Sequence, residues 1–156
     1  MWGIIPQFPI KTMEGGAAVT GQYAHNIDAK GRLFIPAKLR EELGETFHVT
    51  IGPDHCLTIY PNDTWDDFMA TFHDMPYSKG KSLRALSANA VDCEPDGQGR
   101  ILIPAKLRKY ADLEKEVVVI GSFDRAEIWN AERWAREEAM AFESGSLEQA
   151  MEEMGL

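Results

Sequence analysis

Several features that mark membrane, secreted or disulfide-stabilised proteins are scarce in this sequence. Only two cysteines occur, Cys56 and Cys93, and they form neither a disulfide framework nor a C-x-x-C pair. No apolar run approaches the roughly 20 residues that a membrane-spanning helix needs. The opening segment, MWGIIPQFPIKTMEGG, lacks the basic stretch and the continuous apolar stretch of a secretory signal. We therefore expect a soluble, reduced, cytoplasmic protein without a membrane partner.

Positive charge is scarce as well, and its distribution is uneven. The formal net charge is −9, which argues against nucleic-acid binding by the surface as a whole. Residues 132–156 hold seven acids against two arginines, and residues 54–78 hold five acids and no Lys or Arg. Residues 28–40 hold four basic residues against one acid, and residues 79–109 hold seven against three. Because surface fields are screened within about 8 Å at physiological salt, this acidic chain can still carry a basic face.

The sequence does contain a repeat. DAKGRLFIPAKLR, residues 28–40, returns as DGQGRILIPAKLR, residues 96–108, with nine of the thirteen positions unchanged. The similarity continues after a one-residue length change, since Trp65 then corresponds to Trp134. Such self-similarity indicates a duplicated structural unit.

The repeat divides the chain into two similar units and three other segments. We predict an N-terminal extension at 1–21, a first unit at 22–64, a helical connector at 65–89, a second unit at 90–133 and an acidic C-terminal helix or tail at 134–156. Each unit is too short to bury a good core alone. We therefore expect the units to pack together around a pseudo-twofold axis, with strands that interleave or face one another.

The start of each repeat predicts a turn between two strands. Asp at the first position and Gly at the fourth are typical of a type I turn, as in Asp28 with Gly31 and Asp96 with Gly99. The Asp side chain can accept hydrogen bonds from the backbone of its own turn. Extended stretches lie on both sides, QYAHNI with RLFI in the first copy and AVDCEP with RILI in the second. We predict a β-hairpin in each copy.

The rest of each unit predicts a short helix, a second hairpin and the start of another helix. Pro36 and Pro104 suit the first helical position, and the helices are PAKLREELG, ended by Gly44, and PAKLRKYADL. The second hairpins are FHVTIG with CLTIY and VVVIG with AEIW. Amphipathic helices follow from near Asp63 and Ala131. The predicted fold class is α+β, mainly β.

Paired D-x-x-G-R turns, each followed by a strand and IPAKLR, resemble the MraZ family of bacterial regulators of the division and cell-wall gene cluster. The similarity extends from Gly21 to about Trp134, and each unit is similar to the SpoVT/AbrB module, a swapped-hairpin barrel. The resemblance implies two such barrels in tandem, a ring-like homo-oligomer, and binding of double-stranded DNA through the turn arginines. It further implies a nucleoid-associated protein that engages short tandem repeats in the promoter of its own operon.

The arginine after each turn has two candidate roles. Arg32 and Arg100 could contact DNA, because a guanidinium can bond O6 and N7 of guanine together or bind a phosphate. They could also form ion pairs with Asp28 and Asp96 that hold the turns. Both roles are compatible if the aspartate only orients the arginine. Lys30 is a further candidate for a phosphate contact.

Four more cations lie on the helices after the prolines: Lys38, Arg40, Lys106 and Arg108. Taken alone, they are typical of a solvated helix face. Their repetition in both copies fits phosphate contacts equally well, so both interpretations stay open.

The remaining polar residues do not predict a cofactor, a metal site or an enzyme. His25, His48, His55 and His73 have no second Cys/His pair at zinc-ligand spacing. GGAAVTG lacks the lysine and the strand context of a phosphate-binding loop, and the acidic residues have no matching nucleophile or base. The main prediction is a DNA-binding regulator that is not an enzyme. The alternatives are an oligomeric protein-interaction scaffold and, with less support, a small hydrolase.

Overall fold

The computed structural model describes residues 18–156, so the predicted extension at 1–21 lies outside the described residues except for 18–21. The first part contains β1 (Gln22–Asn26), β2 (Arg32–Phe34), α1 (Ala37–Leu43), β3 (Phe47–Ile51), β4 (Leu57–Pro61) and α2 (Asn62–His73). Two short helices follow, α3 (Tyr77–Gly80) and α4 (Arg84–Ala88). The second part contains β5 (Val91–Cys93), β6 (Arg100–Leu102), α5 (Ala105–Tyr110), β7 (Glu116–Ser122), β8 (Arg125–Asn130), α6 (Ala131–Glu143) and α7 (Ser146–Glu153).

The predicted helices are present, with two small differences. The helix α5 ends at Tyr110 and not at the predicted Leu113, since Asp112 has φ 53°. Gly44 ends α1 with φ 97°, a backbone conformation that favours glycine. The later helices begin at Asn62 and Ala131, as expected. Pro36 and Pro104 lie one position earlier than predicted, because their ψ values of 149° and 147° are extended and make them N-cap residues.

Six strands form one antiparallel sheet, and the other two form a separate ribbon. The sheet order is β1-β7-β8-β4-β3-β5, while β2 pairs antiparallel with β6. The second hairpins are confirmed, since β3 pairs with β4 and β7 with β8. The molecule is therefore α+β and mainly antiparallel.

The first hairpins were predicted with the wrong partners. β1 pairs with β7 of the other copy, and β2 pairs with β6. Within each copy the turn joins the two segments, through Asp28 N–H to the Arg32 carbonyl at 3.0 Å and Asp96 N–H to the Arg100 carbonyl at 2.9 Å. Burial explains the exchange. Leu33 lies opposite Ile101 in the ribbon, and the two side chains are 0% and 1% exposed in the shared core.

The strand registers are symmetric under exchange of the two copies. Leu33 lies opposite its equivalent Ile101 in the ribbon, and Thr58 lies opposite its equivalent Glu127 where β4 pairs with β8. A pseudo-twofold relation requires this pattern. The strands of the two copies interleave, which was one of the two arrangements expected.

The closed barrel of the swapped-hairpin module, which the resemblance implies, is not confirmed. In residues 18–156 the six-stranded sheet ends at β1 on one side and at β5 on the other, so it is open. β5 has three residues and pairs only with β3 in this part of the chain, and the β2–β6 ribbon is not hydrogen-bonded into the sheet. The sheet does not close on itself because β5 is a short edge strand and the β2–β6 ribbon forms a separate sheet.

One main hydrophobic core serves both copies. Its buried members come from both repeats and include Leu33, Leu39, Phe47, Ile59, Ile101, Leu107, Val119 and Ile128. The helices α2, α6 and α7 have no fully buried side chain and lie at the periphery. The shared core agrees with the expectation that a single unit is too short to bury a core of its own.

Candidate nucleic-acid interface

The first D-x-x-G-R turn is held by its own aspartate. The Gly31 N–H donates to the Asp28 carbonyl at 3.0 Å and closes the turn. One carboxylate oxygen of Asp28 accepts from the backbone N–H groups of Lys30 and Arg32, each at 2.9 Å. The other oxygen accepts from Arg32 Nε at 2.7 Å. Gly31 has φ 84°, which a residue without a Cβ adopts at little cost.

The second turn repeats this geometry with one different side chain. The Gly99 N–H donates to the Asp96 carbonyl at 2.9 Å. The Asp96 carboxylate accepts from the N–H groups of Gln98 at 2.8 Å and Arg100 at 3.0 Å, and from Arg100 Nε at 3.1 Å. The predicted turn, with an aspartate that accepts from its own backbone, is therefore confirmed in both copies.

These hydrogen bonds also set the charge of the two aspartates. The backbone N–H of Arg32 is the largest cause that holds the pKa of Asp28 below its ordinary value. The backbone N–H of Arg100 lowers the pKa of Asp96 in the same way. Both carboxylates are ionised at neutral pH. Each turn thus has a fixed negative charge beside its arginine.

Each arginine uses one guanidinium nitrogen for its turn. Arg32 pairs with Asp28 at 2.7 Å and Arg100 with Asp96 at 3.1 Å, so the ion pair considered above is present in both copies. The bonding atom is Nε, and within residues 18–156 the terminal nitrogens have no hydrogen-bond partner. A guanidinium has five N–H donors in a rigid plane. The aspartate can therefore orient the arginine and leave donors for another ligand.

The β2–β6 ribbon carries both arginines on one outward face. Side chains alternate along a strand, and the central residues, Leu33 and Ile101, point into the core. The opposite face is made of four side chains, Arg32, Phe34, Arg100 and Leu102. Phe34 and Leu102 are 36% and 60% exposed, so the surface between the arginines is partly apolar.

Two more arginines reach these turns from the other copy. A Cβ atom at Gly31 would lie 2.9 Å from Cζ of Arg108, which belongs to α5 of the second copy. A Cβ atom at Gly99 would lie 3.3 Å from Cζ of Arg40, on α1 of the first copy. The Nε of each helix arginine donates at 3.0 Å to the carbonyl of the residue before its proline. The structure thus brings Arg108 to the first turn and Arg40 to the second.

The three predicted lysines are exposed, and they lie at different distances from the turns. Lys30 lies within the first turn, and Gln98 takes its place in the second. Lys38 and Lys106 lie on α1 and α5, and Lys38 Nζ is 3.9 Å from a Glu42 oxygen. Within the described residues, no hydrogen bond or ion pair joins either helix lysine to a turn.

An acidic groove borders the second turn. It is lined by the guanidinium-bearing Arg40 and by four carboxylates, those of Glu41, Glu45, Glu94 and Asp96. Such a groove repels phosphates. The basic surface at this turn is therefore limited to the side of the ribbon.

Three further exposed residues lie on the ribbon or at the turns and were not among the predicted site residues: Phe34, Leu102 and Gln98. All three stand at positions where the two copies differ and where the side chain is exposed. Aligning the two repeats would have singled out these positions. The copies differ there, and because the side chains are exposed, core packing does not explain the difference.

Other kinds of site find little support in residues 18–156. No group of three or more His, Cys, Asp or Glu in that range could hold a metal ion. No helix there combines the length and the apolar character needed to cross a membrane. Cys56 and Cys93 are free and buried, and burial raises their pKa values to about 12 and about 11.

Comparison with known proteins gives the repeat a family. A family model described as "MraZ protein, putative antitoxin-like" matches the chain twice, over residues 18–87 and 86–155. The transcriptional regulator MraZ of Lachnoclostridium phytofermentans is 49% identical over 116 residues, which cover 73% of this chain and 82% of the relative. Its namesake from Thermoanaerobacter sp. is 52% identical over 118 residues, with the same coverage. The transcriptional regulator MraZ of Halothermothrix orenii is 44% identical over 140 residues, covering 87% of this chain and 98% of the relative. With both copies matched and relatives of this similarity, the chain belongs to the MraZ family.

Proposed function

We propose that this protein is a sequence-specific DNA-binding transcriptional regulator. Family membership supports this role, since the similar proteins are named transcriptional regulators. The observation that carries the proposal is the outward face of the β2–β6 ribbon, where Arg32 and Arg100 are each oriented by an aspartate. The core does not need these exposed donors, whereas a nucleic acid could use them.

The ribbon has a shape that suits the major groove of B-DNA. This groove admits a two-stranded β-ribbon, and an arginine can bond O6 and N7 of guanine together. Arg32 and Arg100 are diagonal neighbours across the ribbon, so their Cα atoms are about 7–8 Å apart. Successive bases are about 3.4 Å apart along one strand. In this proposal the two arginines read guanines about two base steps apart.

The surrounding cations would hold the DNA backbone. Phosphate contacts fix position and orientation, whereas base contacts specify sequence. In this assignment the phosphate contacts come from Lys30, Lys38, Arg40, Lys106 and Arg108. The units at 22–64 and 90–133 together form one binding surface, because each turn lies against an arginine of the other copy.

The proposed target is the promoter of the division and cell-wall gene cluster, bound at short tandem repeats. A ring-like homo-oligomer, located in the cytoplasm and associated with the nucleoid, would engage several repeats at once. One chain has only two D-x-x-G-R turns, and linked weak contacts multiply through effective concentration. Exposed apolar side chains support an assembly, since Met140 and Phe142 are 63% and 65% exposed in the single chain.

Binding to the DNA upstream of the protein's own gene tests the proposal. We expect specific binding that weakens strongly between about 50 and 200 mM salt, because each phosphate contact releases counterions. Fluorescence anisotropy measures the affinity for promoter DNA and for a scrambled duplex of equal length. Equal affinity for the two duplexes would contradict sequence-specific binding. Affinity that does not change with salt would contradict the phosphate contacts.

A protein-interaction scaffold is the second candidate function. The observation in its favour is the C-terminal pair of helices, where exposed Phe142, Leu147 and Met151 stand among glutamates. Exposed apolar patches with polar surroundings are typical of protein-binding surfaces. The same anisotropy experiment separates the two functions, because a scaffold would not distinguish the promoter from the scrambled duplex.

A further inference from the structure

The two halves of the ribbon surface have equivalent backbones and different side chains. Residues 28–40 and 96–108 differ at four positions, and one of these differences, Leu33 against Ile101, is buried. The other three are exposed: Ala29 against Gly97, Lys30 against Gln98, and Phe34 against Leu102. The copies therefore differ where their surface is open to a ligand.

The residues around the two turns also differ in charge, and the first turn again has the more positive surroundings. Arg108, which lies over the first turn, is followed by Lys109, whereas Arg40, over the second turn, is followed by Glu41. Glu41 also lines the acidic groove beside the second turn, together with Glu94. The first turn thus has cations at its tip and flank. The second has an uncharged amide at its tip, and at its flank carboxylates surround Arg40.

We infer that the two turns act differently on DNA: the first adds a phosphate contact that the second lacks, through Lys30, and the second reads a base, through Gln98. This inference rests on the DNA binding proposed above. Lysine is a compact point charge that suits a phosphate. A glutamine amide can bond N6 and N7 of adenine together. The ligand of the second turn is therefore an adenine beside the guanine that Arg100 contacts.

The position of Gln98 suits a reading role. Its backbone N–H is fixed by the Asp96 carboxylate at 2.8 Å. In residues 18–156 its side-chain amide has no hydrogen-bond partner, and the side chain is exposed. The amide therefore has a fixed attachment point and unused donors and acceptor. Lys30 has the same attachment, to Asp28 at 2.9 Å, but it only donates, so it cannot bond N6 and N7 of adenine together.

Phe34 adds to the reading role of the second turn. It lies opposite Arg100 in the ribbon, and a Cβ atom at Gly99 would lie 3.0 Å from its ring. Its ring packs edge-on against His25, with centroids 5.2 Å apart. Phe34 is thereby a supported apolar side chain at the second turn, of the kind that contacts the methyl group of thymine.

Reciprocal exchange of the two turn residues tests the inference. Lys30→Gln and Gln98→Lys are compared with the unaltered chain on promoter DNA and on duplexes in which each base pair is replaced, over a range of salt. For Lys30→Gln we expect the slope of log affinity against log salt to fall by about 0.9, one phosphate contact, with the ranking of duplexes unchanged. For Gln98→Lys we expect a steeper slope and loss of discrimination at one adenine, on the order of ten-fold.

Gln98→Ala is the matched control, because it removes the amide without adding charge. It should lose the same discrimination while the salt slope stays unchanged. Thermal melting checks that each variant is folded. Equal effects of the two exchanges on slope and ranking, or an altered ranking only in Lys30→Gln, would overturn the inference. Absence of specific binding by the unaltered chain would instead overturn the proposed function, so the two failures are distinguishable.

Discussion

Asp28 and Asp96 decide how the arginines beside them can act. Each carboxylate binds two backbone N–H groups and the Nε of its arginine, so the guanidinium is fixed at one nitrogen. The sequence allowed an ion pair and a DNA contact for the same side chain, provided that the aspartate only orients the arginine. They are compatible because they use different donors.

Replacing either turn arginine by alanine is expected to weaken specific DNA binding and preserve the fold. Arg32→Ala and Arg100→Ala each remove one candidate guanine contact, which corresponds to about 1–3 kcal/mol of binding free energy. The double variant should bind most weakly. Both side chains are partly exposed and lie outside the core. Anisotropy with promoter DNA and thermal melting measure the two effects.

Arg136→Ala is the matched control for these variants, because Arg136 is exposed on α6 and far along the chain from the ribbon. It should bind promoter DNA like the unaltered chain. For the turn variants, one outcome would reverse the assignment. If Arg32→Ala and Arg100→Ala unfold while their folded fraction binds normally, the arginines are structural.

The two cysteines are expected to be unreactive in the folded protein. Burial is the largest cause that raises the pKa of Cys56 to about 12 and that of Cys93 to about 11. The thiolate is the nucleophile, and little of it forms near neutral pH. A thiol reagent should therefore label the folded chain slowly and both cysteines rapidly in denaturant. Rapid labelling of the folded chain would show that these side chains are more accessible than the structure indicates.

The β2–β6 ribbon is the element that the two copies build together. Each of its strands has three residues. The strand ends are tied to the turns of the other copy, through Ile35 N–H to the Gly99 carbonyl at 2.8 Å and Ile103 N–H to the Gly31 carbonyl at 2.9 Å. A change in one turn should therefore disturb both copies.

Gly31→Ala is expected to lower the free energy of unfolding, whereas Gly97→Ala should have almost no effect. Gly31 has φ 84°, and its new Cβ would lie 2.9 Å from Arg108 Cζ. We expect a loss of about 1 kcal/mol or more from backbone strain and the displaced arginine. A Cβ at Gly97 meets nothing within 4 Å, and Ala29 already occupies the equivalent position. Urea unfolding measures both, and equal midpoints would contradict the close contact at Gly31.

The molecule as a whole leaves several large apolar side chains exposed in the part of the chain that follows β7. The exposed side chains are Phe123, Met140, Phe142, Leu147, Met151, Met154 and Leu156. The first of these lies in the β7–β8 turn, has φ 66° and is 85% exposed, which is unusual for a bulky residue. Closed symmetric assembly is a common way for such surfaces to be covered.

We expect a homo-oligomer larger than a dimer that binds multi-repeat DNA much more tightly than single-repeat DNA. The physical reason is effective concentration, since each additional engaged turn binds as part of one linked assembly. Light scattering at micromolar concentration gives the mass, and titration of one-repeat against multi-repeat duplexes gives the gain in affinity. A monomer with the same affinity for both duplexes would rule out the ring.

The amino-acid sequence was sufficient to predict those features that depend on near neighbours. Asp28 reaches the backbone of its own turn, Gly31 provides the positive φ that the turn requires, and each proline directly precedes a helix, so these elements follow from a few adjacent residues. The duplication was visible as well, because nine of thirteen positions repeat. The candidate arginines could be named for the same reason.

The pairing of strands and the crossing of arginines depended on tertiary structure. Antiparallel pairing within one copy and between two copies satisfies the same kinds of backbone hydrogen bond, so local patterns cannot distinguish them. Burial of Leu33 against Ile101 in a shared core favours pairing between copies. That exchange carries Arg108 over Gly31 and Arg40 over Gly99. The residues that surround each turn are therefore set by the packing of the two copies around one core. The sequence of a single repeat does not show that packing.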